Sequence, residues 1–191
     1  MVDTNGRNSY INISLFDSNF YSELYSDLKS AFGTNEYLLK VHYFQFGLKE
    51  GRQASIVFNP VYYLNTYSDL KAAYGNDYYQ ALNHFMTYGI NEGRIGSELF
   101  SSSYYLSSYQ DLQSAYGTNY KEAINHFITY GLNEGRNTSS TFNVQIYKAN
   151  YSDLRNAFGN NYLSYYVHYL NHGKVERKNS SLKVKNKIQV K

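Results

Sequence analysis

Cysteine and tryptophan are absent from this chain of 191 residues, and proline occurs once. Without cysteine there is no disulfide, no iron–sulfur cluster and no thiolate zinc site, and the redox compartment is left open. No apolar run approaches the roughly 18 residues needed to cross a bilayer, so no membrane span is expected. The first fifteen residues lack the basic start and apolar centre of a signal peptide. Charge of one sign is also scarce. The formal net charge is +3, and much of the excess lies in the closing stretch "KVKNKIQVK", which holds lysines and no acid. The remaining body is near neutral, which argues against the broad basic surface of a nucleic-acid binder. Catalytic signatures are missing too: there is no glycine-rich phosphate loop, no serine elbow and no zinc-protease helix. No cofactor is expected and no catalytic residue is assigned.

Aromatic rings are what the chain has in quantity, with 24 Tyr and 11 Phe. They recur at a fixed interval. Phe16, Phe58, Phe100 and Phe142 stand 42 residues apart. The same step joins Asp27, Asp69, Asp111 and Asp153, and also His42, His84, His126 and His168. Glu50, Glu92, Glu134 and Glu176 keep it as well. A register held this long is the signature of a repeat protein. The chain divides into a polar lead (1–15), repeats at 16–57, 58–99 and 100–141, a fourth degenerate repeat that caps the row (142–178), and a basic tail (179–191).

Each unit opens on Asp17, Asn59, Ser101 or Asn143, whose side-chain oxygens suit a helix N-cap, and Pro60 fits the first helical position. A first helix is expected over "VYYLNTY" and its equivalents. A short second helix covers "SDLKAAY", with Ser68 or Asp69 at its start and Gly75 as its end. A third begins near Asn35, Asp77, Asn119 or Asn161 and stops at the glycine of "YG". Its apolar stripe is Ala81, Phe85 and Tyr88 at i, i+4 and i+7, widened by Leu82 and Met86. The expected fold is all-α, a short α-solenoid of four 42-residue three-helix repeats, each covering its neighbour's apolar face.

The triplet of histidine, glutamate and arginine in "HFMTYGINEGR" could be a reactive site or a building block. His42, His84, His126 and His168 sit beside the buried stripe, where a packing or hydrogen-bonding role is expected. Glu50, Glu92 and Glu134, with Arg52, Arg94 and Arg136, follow the helix-ending glycine. There the arginine could bind terminal carbonyls of a neighbouring helix while the glutamate caps or pairs with the arginine. The fourth unit reads "HYLNHGKVERK", which places His168 and His172 at i, i+4. Two imidazoles so spaced can bind zinc or nickel, with Glu176 as a third ligand only if the helix continues past Gly173. The blander reading is a relaxed terminal repeat, and no metal site is assigned.

Tyrosine exceeds what one buried stripe needs. Tyr21, Tyr63, Tyr105 and Tyr147, with Tyr25, Tyr67, Tyr109 and Tyr151, are therefore the candidate ligand-binding residues. Amphipathic rings suit stacking on sugar faces or anchoring a protein partner. The alternative is that they line the joints between units. Exposure decides between the two: an open row favours a glycan, whereas complete burial favours a spacer. Asn12, Asn137, Asn150 and Asn179 each begin an N-x-Ser/Thr triplet.

The run "FNPVYYLNTYSDLKAAYG" followed by "ALNHFMTYGINEGR" resembles a tandem repeat of bacterial surface, secreted and glycan-related proteins, whose form is "YYL", then "NPDV", then "HYxxYGxxEGR". The match covers all four units and departs at "YSDL", where Ser or Gln replaces the proline. The resemblance implies an extracellular or cell-surface setting and an accessory attachment role beside catalytic domains, and it assigns no ligand residue. The expected function is a non-catalytic module that attaches a larger surface or secreted protein to cell-wall or extracellular glycan. A structural spacer or protein-interaction scaffold is the alternative. Oligomeric state is left open.

Overall fold

The computed structural model describes residues 15–176 together with Lys178 and Ser180. Almost all of the polar lead and the basic tail, and with them Asn12 and Asn179, lie outside the described residues. Among those described, every named element is helical, and the nearest approach to a strand is an isolated bridge between Ser97 and Phe100. Twelve α-helices fall into four groups of three: α1 Ser18–Leu24, α2 Ser26–Phe32, α3 Glu36–His42; α4 Pro60–Thr66, α5 Ser68–Tyr74, α6 Tyr78–His84; α7 Ser102–Ser108, α8 Gln110–Tyr116, α9 Tyr120–His126; α10 Val144–Asn150, α11 Ser152–Phe158, α12 Tyr162–His168.

Each helix has only seven residues, too few to hold alone in water, so caps and packing must define them. The first helix of every unit is capped as expected: Asp17, Asn59, Ser101 and Asn143 accept from the backbone N–H three residues on, at 3.0, 2.9, 3.3 and 2.9 Å. Asn35, Asp77, Asn119 and Asn161 cap the third helices in the same way. The second helix departs from expectation. Tyr67 occupies its N-cap position with no side-chain bond, so Ser68 is not the cap, and Asp69 in the first turn supplies the favourable charge. Gly33, Gly75, Gly117 and Gly159 end the second helices with φ of 55–60°.

The third helix reaches the glycine of "YG" as expected, but not as a regular α-helix throughout. It widens into a π-turn, Phe85–Gly89 in the second unit, where the Ile90 N–H donates to Phe85 O at 2.9 Å. Equivalent turns are Tyr43–Gly47, Phe127–Gly131 and Tyr169–Gly173. The extra residue shifts the phase of everything after it. Ala81, Leu82 and Phe85 are buried as expected, but Tyr88 is rotated out and stands 57% exposed. Gly89 takes its place on the buried side.

Units join through their connecting segments. The Asn59 N–H donates to Gly96 O at 3.0 Å and the Ser101 N–H to Thr138 O at 2.8 Å, returning the end of each unit to its own start. Between units, Ser97 Oγ donates to Ile56 O and Thr138 Oγ1 to Leu99 O. Val57, Phe58, Leu99, Phe100 and Phe142 are buried along this seam. A second joint lies at the glycine of "EGR". Gly93 has φ +70°, and a Cβ there would lie 2.7 Å from the ring of Tyr120 in the following unit. Gly51 receives Tyr78 and Gly135 receives Tyr162 in the same manner. The row curls on itself: α1 packs against α12, Asn171 Nδ2 donates to Leu24 O at 3.3 Å, and Lys174 pairs with Glu98.

Candidate functional site

Tyr21, Tyr63, Tyr105 and Tyr147, offered by the sequence as an outward row, have no exposed surface. Each lies edge-on to its neighbours, Tyr63 meeting Tyr67 at 5.2 Å and Phe85 at 5.2 Å between centroids. Each hydroxyl reaches the Nδ1 of the histidine 21 residues on, at 3.1, 3.0, 3.0 and 2.9 Å for His42, His84, His126 and His168. Burying a tyrosine ring of about 150–250 Å² is worth roughly 4–6 kcal/mol as an upper estimate, against about 1 kcal/mol net for its hydrogen bond. The ring is therefore there for packing first and the hydroxyl for alignment second. Burial raises the phenol pKa values well above the ordinary range. With the hydroxyl at this depth only glycine fits opposite: a Cβ on Gly89 would lie 2.3 Å from Tyr63 Oη, and on Gly131 2.0 Å from Tyr105 Oη.

Tyr25, Tyr67, Tyr109 and Tyr151 are half-buried and already covered. Their faces carry Arg52, Arg94 and Arg136 at 4.8, 4.7 and 4.7 Å, and Lys178 in the fourth unit at 5.1 Å. The hydroxyls of Tyr25, Tyr67 and Tyr109 accept from the backbone N–H of Gln53, Ile95 and Asn137. Neither set of tyrosines named from the sequence presents a free face: the first is packed among rings of its own unit, Tyr63 against Phe58 and Phe85, and the second is covered by the arginines and, in the fourth unit, by Lys178. Tyr62 and Tyr104 are half-buried.

The arginines do not reach a neighbouring helix's carbonyls. Arg52, Arg94 and Arg136 pair with Asp27, Asp69 and Asp111 at 2.8, 2.9 and 2.8 Å, and through Nε with Glu50, Glu92 and Glu134 at 2.6, 2.6 and 2.5 Å. Each clamp ties the end of the third helix to the start of the second within one unit. Hydrogen bonds from Arg94 and Arg136 hold Asp69 and Asp111 below the usual carboxylate range. Lys178 takes the arginine's place in the fourth unit and bonds Glu176 at 2.9 Å.

His84, His126 and His168 are shifted down, first by burial and then by Arg94, Arg136 and Lys178, so the neutral imidazole is favoured. The rings of His168 and His172 lie 5.2 Å apart at a tilt of 50°, but no three metal-ligating side chains converge anywhere among the described residues.

What does face outward is a set the sequence reading left aside. Phe46, Tyr88 and Tyr130 occupy one register position and are 55%, 57% and 57% exposed. Exposed His172 fills that position in the fourth unit. Each rests on its unit's histidine, at 5.7, 5.5, 5.5 and 5.2 Å between centroids. Behind each histidine stands a half-buried ring, Phe32, Tyr74, Tyr116 or Phe158. The signal that could have found the row is its polar flanking, Gln45, Thr87, Thr129 and Asn171 before each ring, which is out of place on a buried stripe.

Comparison with models of known protein families, with curated proteins and with solved structures finds no match to this chain.

Proposed function

We propose that this protein is a non-catalytic repeat module that attaches a larger surface or secreted protein to an extracellular partner, using the outward row of Phe46, Tyr88 and Tyr130. The observation that carries the reading is the division of labour among the rings. The buried tyrosines, the histidine Nδ1 atoms and the arginine clamps are engaged within their own units, whereas three large rings at one register position stay exposed. Exposed aromatic surface repeated at one position is what a binding face requires and a core does not. A second reading, a spacer that only sets distance, is favoured by the complete burial of Tyr21, Tyr63, Tyr105 and Tyr147.

Sedimentation of the full chain with whole bacterial cells and with peptidoglycan, at low and physiological salt, separates the two. Salt-resistant retention that disappears in the variant carrying Phe46→Ala, Tyr88→Ala and Tyr130→Ala supports attachment through the row. Passage of the unaltered chain through every such sample leaves the spacer.

A further inference from the structure

The histidines of the row have one nitrogen committed and one free. The hydroxyls of Tyr21, Tyr63, Tyr105 and Tyr147 find no partner among the described residues other than the histidine Nδ1. A buried phenol hydrogen must be donated somewhere, so each hydroxyl donates to Nδ1 and the imidazole carries its own proton on Nε2. No Nε2 has a protein partner among the described residues. Nor is any sealed from water, because the one side-chain polar atom there that is both buried and unpaired is the hydroxyl of Tyr43. Each of the first three units therefore offers solvent an aromatic face and, within one ring contact of it, an unpaired N–H donor.

The side chains flanking the rings are uncharged for the most part, and the nearby clamp arginines Arg94 and Arg136 are paired with Asp69, Glu92, Asp111 and Glu134. Gln45, Thr87 and Thr129 precede the rings, and Asn91 and Asn133 follow one turn on, all exposed, with Lys49 at that position in the first unit. A flat apolar platform, a fixed donor beside it and flanking amides and hydroxyls match a sugar ring, which has a C–H face for stacking and hydroxyl oxygens for the donors. A phosphate polymer would need clustered cations instead, and an apolar peptide would leave the N–H groups without acceptors. Equal placement in successive units suits a polymer whose own subunits repeat.

We infer that Phe46 with His42, Tyr88 with His84 and Tyr130 with His126 form a series of subsites for one neutral polysaccharide chain, which lies along the row with a sugar face on each exposed ring. The assignment rests on the attachment function proposed above and narrows its partner to an uncharged glycan.

Purified chain is tested against insoluble amylose, β-1,3-glucan, β-1,4-glucan and mannan in 0.5 M NaCl, by depletion from the supernatant. Retention on at least one of them is expected, falling about two- to ten-fold for each ring removed among Phe46→Ala, Tyr88→Ala and Tyr130→Ala. Tyr88→Trp with Tyr130→Trp should keep the retention, and Tyr37→Ala, which removes a ring 74% exposed outside the row, should leave it unchanged. Circular dichroism melts confirm that the alanine variants fold. If the chain is retained on none of the four polymers, or the triple alanine variant binds as well as the parent, the inference is overturned. Row-dependent retention on whole cells without retention on any neutral polymer overturns the sugar assignment alone and leaves the attachment function standing.

Discussion

Tyr43 is the residue at which the packing scheme is least satisfied. Its position carries Phe in the second and third units, and its hydroxyl is buried without a partner. Leaving a hydroxyl unpaired costs roughly 1–3 kcal/mol, so Tyr43→Phe should stabilise the protein by about 1 kcal/mol and raise Tm by about 2–4 °C. A melt showing loss of stability would mean that the hydroxyl has a partner in solution. Gly89 gives the opposite case. Its Cβ would meet Tyr63 Oη at 2.3 Å and the Phe85 ring at 3.1 Å, and neither ring can swing away from a filled core. Gly89→Ala should cost about 2–3 kcal/mol. Tyr63→Phe alone should cost about 1 kcal/mol through the lost bond to His84. In that background the alanine should cost measurably less, because the oxygen it strikes is gone. Additive losses across the four proteins would show that the clash is not with the hydroxyl.

The clamp is the corresponding feature at the scale of the element. Arg94 covers the Tyr67 ring and joins the end of the third helix to the second. Its ion pairs are largely exposed and contribute little, so Arg94→Ala should lower stability by about 1 kcal/mol, chiefly from the stacked guanidinium and its buried stem. Urea titrations in 1 M NaCl should retain most of that difference; its disappearance in salt would assign the clamp to charge alone. These elements were also where the sequence was most legible. Asn59, Pro60 and Gly75 mark helix ends by local backbone chemistry, and the twelve helices fall where such residues stand. The outward face was only faintly legible, through the polar residue before each ring, because Tyr63 and Tyr88 both lie at helical spacing and long-range packing decides which is covered. A single π-turn carried Tyr88 out of the stripe and Gly89 into it, and no local pattern announces that extra residue.

Across the whole molecule the four units act together, since each is bonded to the next along the seam and α1 closes onto α12. A proton taken up in one unit therefore weakens a shared structure. His84, His126 and His168 have folded-state pKa values below those of the unfolded chain, first through burial and then through the nearby cations. The unfolded chain accepts these protons near pH 6.5 while the folded one resists, so stability is full above that pH and declines as pH falls through it. Asp69 and Asp111 are also shifted down, by Arg94 and Arg136. Their contribution is full above about pH 4 and is lost below it. The urea midpoint should stay level from pH 8.5 to 7, decline from about pH 6.5, and decline again below about pH 4. Replacing the three histidines with asparagine should lower the plateau and flatten the first decline while leaving the second. An unchanged midpoint between pH 7.5 and 5 would mean that these imidazoles hold their protons alike in both states, and that the phenol-to-Nδ1 bonds do not depend on a neutral ring.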